Sequence, residues 1–103
     1  MSSPEIPIPI PENAIEVEFP GHVGTYFVNP DPARPEFTWV QNVLGTDGAT
    51  YKFSPDEVII TSHSTHDPYH DNVVTVFTNP SKEFWEWQEI LQQILDLANA
   101  KSA

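Results

Sequence analysis

Alternating apolar and polar residues predict β-strands over the first three-quarters of this chain. Ile15, Val17 and Phe19 alternate with two glutamates, which is the period-two pattern of a strand with one buried face. Five further segments are rich in β-branched and aromatic residues, which favour the pleated, packed surface of a sheet. These segments are residues 25–28, 37–44, 50–53, 57–61 and 72–78.

Turn signals separate the predicted strands. A Pro-Gly pair follows the first strand, and three prolines within residues 29–35 predict a loop, because proline cannot donate a ladder hydrogen bond. Residues 45–48, Gly-Thr-Asp-Gly, predict a hairpin turn in which Asp47 and Gly48 adopt positive φ.

The pattern changes to a helical period near the C-terminus. Neither proline nor glycine interrupts the chain from Ser81 to about Ala100, and Asn79 and Pro80 are predicted to be the N-cap and the first helical residue. Apolar side chains then share one side of the helix, while glutamates and glutamines occupy the other. The predicted apolar stripe consists of Phe84, Trp87, Ile90, Leu91, Ile94, Leu95, Leu97 and Ala98.

These elements predict an α+β fold, in which the long C-terminal helix packs across one face of a curved antiparallel sheet of five to six strands. The strand spacing between Phe37 and Thr61 also resembles that of a small SH3-like barrel, so a barrel with an appended helix is the alternative. We predict a single domain over residues 13–103, preceded by an extended proline-rich arm of residues 1–12.

The arm contains the repeat Ile-Pro-Ile-Pro-Ile-Pro at residues 6–11. Proline excludes a helix there and favours an extended or polyproline II conformation. In a strand, the isoleucine N–H groups would face one edge and the prolines the other. The arm could therefore add to a sheet edge without letting the sheet grow further. That edge could belong to its own domain or to a neighbour.

The negative net charge of the chain limits which classes of molecule it can bind. Fifteen acidic residues oppose four basic ones, for a formal net charge of −11, and seven of the acids lie in residues 1–52 and eight in residues 53–103. The charge therefore covers the whole domain. Such a field repels nucleic acid and anionic membranes and speeds association with basic proteins. We expect no direct nucleic-acid or membrane binding, and a partner protein with a basic surface.

Composition narrows the location as well. The chain has no cysteine, which excludes disulfides and thiolate metal sites. It also has no long apolar run, and its first 30 residues lack the pattern of a secretory signal peptide. We therefore expect a cytoplasmic protein.

Trp85 interrupts the pattern of the helix, because it falls on the polar side. An exposed tryptophan is a common anchor of protein interfaces, and Glu86, Glu89 and Asp96 supply acidic residues around it. We predict that these four residues bind the partner. The alternative is that the Ile-Pro arm covers the Trp85 indole within the same molecule.

Residues 63–71 concentrate groups that can bind metal. Three histidines and two aspartates fall in this predicted loop, and imidazole and carboxylate ligands suit zinc and other transition metals. The spacing matches no established motif, so a pH-responsive loop or an ordinary polar loop remains open. The candidate ligands are His63, His66, His70, Asp67 and Asp71.

Neither a phosphate-binding glycine loop nor a nucleophile motif is present, and we expect no enzyme and no cofactor. The main functional hypothesis is a non-enzymatic, acidic protein-binding module that occupies a basic surface on its partner. Small acidic proteins of phages and mobile elements inhibit host enzymes in this way, and by analogy of charge and size the hypothesis includes inhibition of a nucleic-acid-binding protein. A metal-dependent domain built on residues 63–71 is one alternative. A structural subunit of a larger assembly, such as a phage particle, is the other.

Overall fold

The computed structural model describes residues 8, 10–31, 35–41, 47–65, 67 and 69–102. These residues form one open, six-stranded antiparallel sheet in the order of the chain, followed by a helix, so the predicted α+β fold is confirmed and the barrel alternative is not adopted. The elements are β1 (Ile15–Val17), β2 (Thr25–Asn29), β3 (Glu36–Val40), β4 (Asp47–Phe53), β5 (Glu57–Ser64), β6 (Val74–Thr78) and α1 (Lys82–Ser102).

Strand register divides the sheet into two faces. Opposed residues in antiparallel strands point to the same side, and Val28, Phe37, Tyr51 and Ile60 oppose one another in turn. This row belongs to the helix face, against which α1 packs. The alternate residues, which include Thr38 and Thr50, form the second face.

The helix lies across the sheet from the β6 end to β1. Its buried residues follow a helical spacing and are Phe84, Leu91, Ile94 and Ala98, each fully buried. Leu97, which the sequence pattern placed in the apolar stripe, lies at the margin and is 37% exposed. At the far end, the ammonium group of Lys101 donates to the carbonyl oxygen of Glu16 at 2.6 Å. Burial of the helix stripe is the main contact that positions the exposed side of α1.

The helix begins later than the sequence predicts. Ser81 is the N-cap, since its Oγ accepts the backbone N–H of Phe84 at 3.0 Å, which is the geometry of a capping serine. Asn79 is not the cap, because its backbone N–H donates to the carbonyl oxygen of Asp56 at 3.0 Å and so continues the sheet. Pro80, joined to Asn79 by a cis peptide bond, precedes the cap rather than opening the helix.

Gly48 lies in a strand rather than in the predicted turn. β4 already begins at Asp47, and Gly48 opposes Val40 on one side and His63 on the other. Glycine is required there by close packing, because a Cβ atom would collide with the carbonyl oxygen of Trp39. Residues 42–46, which include the first half of the predicted turn, lie outside the described residues. Positive φ occurs instead at Asn13, Gly21, Gly24 and Asn72.

The second face of the sheet carries part of the N-terminal arm, and we call it the arm face. Ile8 is only 2% exposed there. Ile10 and Pro11 line a pocket of about 310 Å³ together with Thr38 and Thr50. The described arm residues 8 and 10–12 are not part of a strand, and they lie on the face of the sheet opposite to α1.

Candidate protein-binding surfaces

The outer face of α1 presents all four residues that the sequence predicts to bind a partner. Trp85 is 54% exposed, and Glu86, Glu89 and Asp96 are exposed on the same helix. The Trp85 ring packs edge-on against the fully buried ring of Phe84, with centroids 4.9 Å apart. One edge of the indole is therefore supported by the core while the rest meets solvent.

The described part of the arm does not cover Trp85. Ile8 packs at Gly48, on the arm face, whereas Trp85 lies on the helix that covers the other face. The alternative in which the Ile-Pro repeat shields the indole therefore receives no support from residues 8 and 10–12. Residues 1–7 and 9 lie outside the described part of the chain.

The carboxylates on the outer face of α1 are only weakly paired with other side chains. Lys82 lies 4.0 Å from the Glu86 carboxylate, one helical turn away. Both side chains are largely exposed, and such surface pairs are weak and screened by salt. Asp96 accepts a hydrogen bond of 3.0 Å from the Gln92 side-chain amide, which leaves its negative charge in place.

A groove borders this surface. It has a volume of about 350 Å³ and lies between α1 and the turn after β4. Gln88 and Gln92 lie one and two turns after Trp85 on the same side of the helix, and both line the groove. The Gln88 side-chain amide donates to the carbonyl oxygen of Ser54 at 2.5 Å and ties the helix to that turn. The lining residues are Pro35, Phe53, Ser54, Pro55, Gln88, Gln92 and Leu95.

The histidine-rich segment is divided between a strand and a turn. β5 extends to Ser64, so the loop is shorter than predicted, and His63 lies in the strand. Its Nε2 atom is 3.2 Å from the Thr50 hydroxyl on the neighbouring strand. His63 therefore forms part of the arm face, apart from the turn that follows.

The two aspartates of this segment form the turn. Asp67 accepts the backbone N–H of Tyr69 at 3.0 Å and also forms a short hydrogen bond with the His70 ring. That bond to His70 is the main reason why the pKa of Asp67 lies below its usual value. Asp71 accepts the backbone N–H of Ser64 at 3.2 Å and closes the turn. These bonds give the aspartates a local structural role.

Among the described residues, no group of three or more histidines and carboxylates converges well enough to hold a metal ion. His66, one of the five predicted ligands, lies outside those residues. The described candidate ligands have separate partners: His63 contacts Thr50, His70 pairs with Asp67, and Asp71 accepts the Ser64 N–H.

A pocket lined mainly by aromatic rings was not anticipated from the sequence. It has a volume of about 260 Å³ and opens between α1 and the loop before β2. The Tyr51 ring lies 5.4 Å from that of Trp87 and 6.2 Å from that of Tyr26, between ring centroids. The lining residues are His22, Val23, Tyr26, Trp39, Tyr51 and Trp87.

Hydrogen bonds hold the mouth of this aromatic pocket. The Trp39 indole N–H donates to the carbonyl oxygen of Val23 at 2.7 Å, and Nδ1 of His22 lies 3.0 Å from the Tyr26 hydroxyl. Tyr26 and Trp39 oppose each other on β2 and β3, and Tyr51 lies on the same face of β4, two residues beyond the Ala49 that opposes Trp39. Alternation alone assigns all three residues to the core. The signal that the sequence offered was three aromatic residues on one face of neighbouring strands, and it becomes specific only when the register is known.

Strand β6 forms one edge of the sheet and exposes apolar side chains. Val73, Val74 and Val76 are 42%, 58% and 49% exposed. Residues 72–81 contain no charged side chain, although charges commonly protect edge strands against pairing with other chains. This edge is a second candidate surface.

No helix within the described ranges is both long and apolar enough to cross a membrane. Comparisons of the chain with models of protein families, with curated proteins and with solved structures find no match.

Proposed function

We propose that this protein is a non-enzymatic binding module that uses the outer face of α1 to occupy a basic surface on a partner protein. The observation that carries the proposal is Trp85, which is 54% exposed on a helix face that also presents the exposed residues Glu86, Glu89 and Asp96. The proposal retains the cytoplasmic location expected from the sequence. It includes inhibition of a nucleic-acid-binding protein, whose basic surface the module would block.

Two physical arguments support this surface. An indole that becomes buried on association removes a large apolar area from water, and tryptophan is enriched among the residues that dominate binding energy. The net charge of −11 attracts basic proteins over long distances and raises the association rate at low salt. In this proposal the tryptophan supplies affinity, and the carboxylates supply orientation and speed.

The test is an affinity purification from the native host with the wild-type protein and with Trp85→Ala, at low and at high salt. We expect the substitution to weaken partner binding by at least about tenfold, in the range of interface hot spots. Tyr69→Ala is the matched control, because Tyr69 is an 88% exposed aromatic residue elsewhere on the surface. Two further variants separate binding from folding if Trp85→Ala unfolds the protein. If folded Trp85→Phe and Trp85→Leu variants both bound the partner as tightly as the wild type does, Trp85 would have a structural role only.

The acidic residues are tested separately. Replacing Glu86, Glu89 and Asp96 by their amides should slow association, and the loss should shrink as salt is added. Replacing the exposed Glu12, Glu16 and Glu18 by glutamine removes the same charge elsewhere. An equal effect of both triple variants would show that the overall field acts, and that the α1 surface has no particular part.

The edge of β6 favours a second function, that of a structural subunit. The Ser62 N–H donates to the carbonyl oxygen of Val73 at 2.9 Å. Because backbone groups alternate in direction along a strand, those of Val74 and Val76 point away from β5. A second copy of the chain fits this edge, since two antiparallel β6 strands would place valines together and bring no like charges into opposition.

Light scattering over a range of concentrations tests this second function. The wild type should form a dimer, and Val76→Lys should be a monomer, because a lysine on an edge strand opposes pairing. Val76→Thr is the control, since it keeps the β-branched shape. A wild type that stays monomeric at every concentration would contradict the pairing of β6 edges.

A further inference from the structure

The aromatic pocket combines five rings from separate parts of the fold. Tyr26, Trp39 and Tyr51 come from three neighbouring strands, Trp87 comes from α1, and His22 comes from the loop before β2. Tyr26 and Tyr51 form the floor, since they are only 2% and 5% exposed. The pocket therefore has a rigid aromatic base.

The size of the pocket indicates the size of its occupant. Sites for drug-sized ligands have volumes of about 300–1,000 Å³, and this pocket has about 260 Å³. It suits one side chain or one small cation better than a large metabolite. The pocket is open at the side of His22 and Val23, which is 72% exposed, so a side chain of another protein can reach it.

The electrostatic setting favours a cation. Aromatic rings carry negative potential on their faces and attract ammonium groups, and the protein as a whole carries −11 charges. Glu83 lies one helical turn before Trp87 on the same side of α1. The described lysines lie elsewhere: Lys52 on the arm face, Lys82 on the outer side of α1, and Lys101 beside β1.

We propose that the pocket formed by Tyr26, Trp39, Tyr51 and Trp87 binds an alkylammonium group, namely the side chain of a lysine or methylated lysine of the basic partner. Binding of the cation follows from the pocket itself. Its assignment to a partner protein rests on the proposed function, which it deepens by adding a second contact besides Trp85. Each of the two contacts can be lost without the other.

The three tryptophans make the test specific within one sample. The indole N–H signals of Trp39, Trp85 and Trp87 are followed by NMR while choline is added to the full chain, and each signal is assigned from a Trp→Phe variant. We expect saturable shifts at Trp39 and Trp87 and little change at Trp85. Equal shifts at all three indoles would overturn the proposal, because they would reflect the general negative field. So would the absence of any shift.

A neutral analogue separates a cation site from a merely apolar one. The compound 3,3-dimethylbutan-1-ol has the shape of choline without its charge, and we expect it to bind about tenfold more weakly, as a cation–π contribution implies. Equal binding of both compounds would overturn the proposal. A comparison of lysine and trimethyllysine peptides with an alanine peptide then tests whether a protein side chain can occupy the site.

Variants separate the aromatic pocket from the Trp85 surface. Trp87→Leu should abolish the choline shifts at Trp39, and Trp85→Leu should leave them intact. Should Trp87→Leu fail to fold, the wild-type comparison of choline with its neutral analogue remains decisive. Loss of partner binding in Trp85→Leu with an intact choline response would support the α1 surface and would show that the pocket is a separate cation site. If Trp85→Leu still bound the partner as tightly as the wild type does, the proposed role of the α1 surface would be refuted, and the cation site would be unaffected.

Discussion

The side chain of Ile8 lies directly over the backbone of Gly48, on the face of the sheet opposite to α1. A Cβ atom at Gly48 would be 2.9 Å from Cδ1 of Ile8, closer than side chains pack. Ile8 is only 2% exposed. The absence of a side chain at one position therefore makes room for the isoleucine of the arm, and this residue of the arm belongs to the packed interior.

We predict that Ile8→Ala destabilises the protein by about 2–5 kcal/mol, the range for truncation of a buried isoleucine. Urea denaturation measures the change in the free energy of unfolding. Ile10→Ala is the matched control, because Ile10 is in the same repeat but 37% exposed, and it should cost clearly less. Equal, small effects of the two substitutions would show that the arm does not contribute to the fold.

Ser81→Ala should cost about 1 kcal/mol of unfolding free energy, since the serine hydroxyl caps the first turn of α1 through the N–H of Phe84. Asn79→Ala is the comparison, and it should cost less because Asn79 contributes through its backbone N–H. Thermal and urea unfolding both measure the difference. The reverse order of the two effects would place the N-cap at Asn79.

Stability should fall at alkaline pH because of the buried tyrosines. Burial raises the pKa of Tyr51 to about 12 and also raises that of Tyr26, whereas an unfolded tyrosine ionises near pH 10. The neutral phenol is favoured in the fold, so its contribution is complete below about pH 10 and is lost as pH rises toward 12.

Tyr51→Phe tests this assignment, because it keeps the ring and removes the ionisable hydroxyl. Its unfolding free energy should fall less steeply between about pH 10 and 12 than that of the wild type. The difference should reach up to about 2 kcal/mol. Tyr69→Phe, at an 88% exposed position, should follow the wild-type curve. A Tyr51→Phe curve parallel to the wild type would contradict the prediction.

The pKa of Asp67 should depend on His70. The hydrogen bond from the His70 ring is the largest of the effects that hold this pKa below its usual value, so His70→Gln should raise it toward that usual value. NMR titration of the aspartate side chain measures the change. His63→Gln is the control, since His63 lies in β5 against Thr50, and it should leave Asp67 unaltered.

The sign of this effect on stability follows from the direction of the shift. The carboxylate form is favoured in the fold, so the contribution is present above the unfolded pKa and is lost as pH falls through the lower folded value. His70→Gln should therefore lower the free energy of unfolding near neutral pH, and this difference from the wild type should vanish in strong acid. A difference that grew as the pH fell would contradict the pairing of His70 with Asp67.

Local patterns predicted the secondary structure well. The alternation around Val17 and the apolar stripe from Phe84 to Ala98 appear in the fold as expected, because period two and period 3.6 follow directly from backbone geometry. The prediction of the helix N-cap was wrong because two nearby residues are both suited to that position. Both Asn79 and Ser81 are residue types that cap helices. Because the Asn79 backbone N–H continues the sheet, Ser81 is the residue that caps α1.

The candidate surfaces were predictable to different degrees. The exposure of Trp85 followed from its angle on the helix, which depends only on neighbours within a few turns. The histidine segment looked like one cluster, yet β5 takes His63 into the sheet while the turn retains His70. Closeness along the chain therefore did not imply closeness of the side chains.

The amino-acid sequence by itself determined the strands, the amphipathic helix and the acidic surface, because each depends on local periodicity or on composition. Only the tertiary structure decided that Ile8 packs over Gly48 and that Tyr26, Trp39, Tyr51 and Trp87 share one pocket. Those contacts join residues far apart in the chain. They depend on strand register and on the face that α1 covers, which are set by the packing of the whole core and by no single segment.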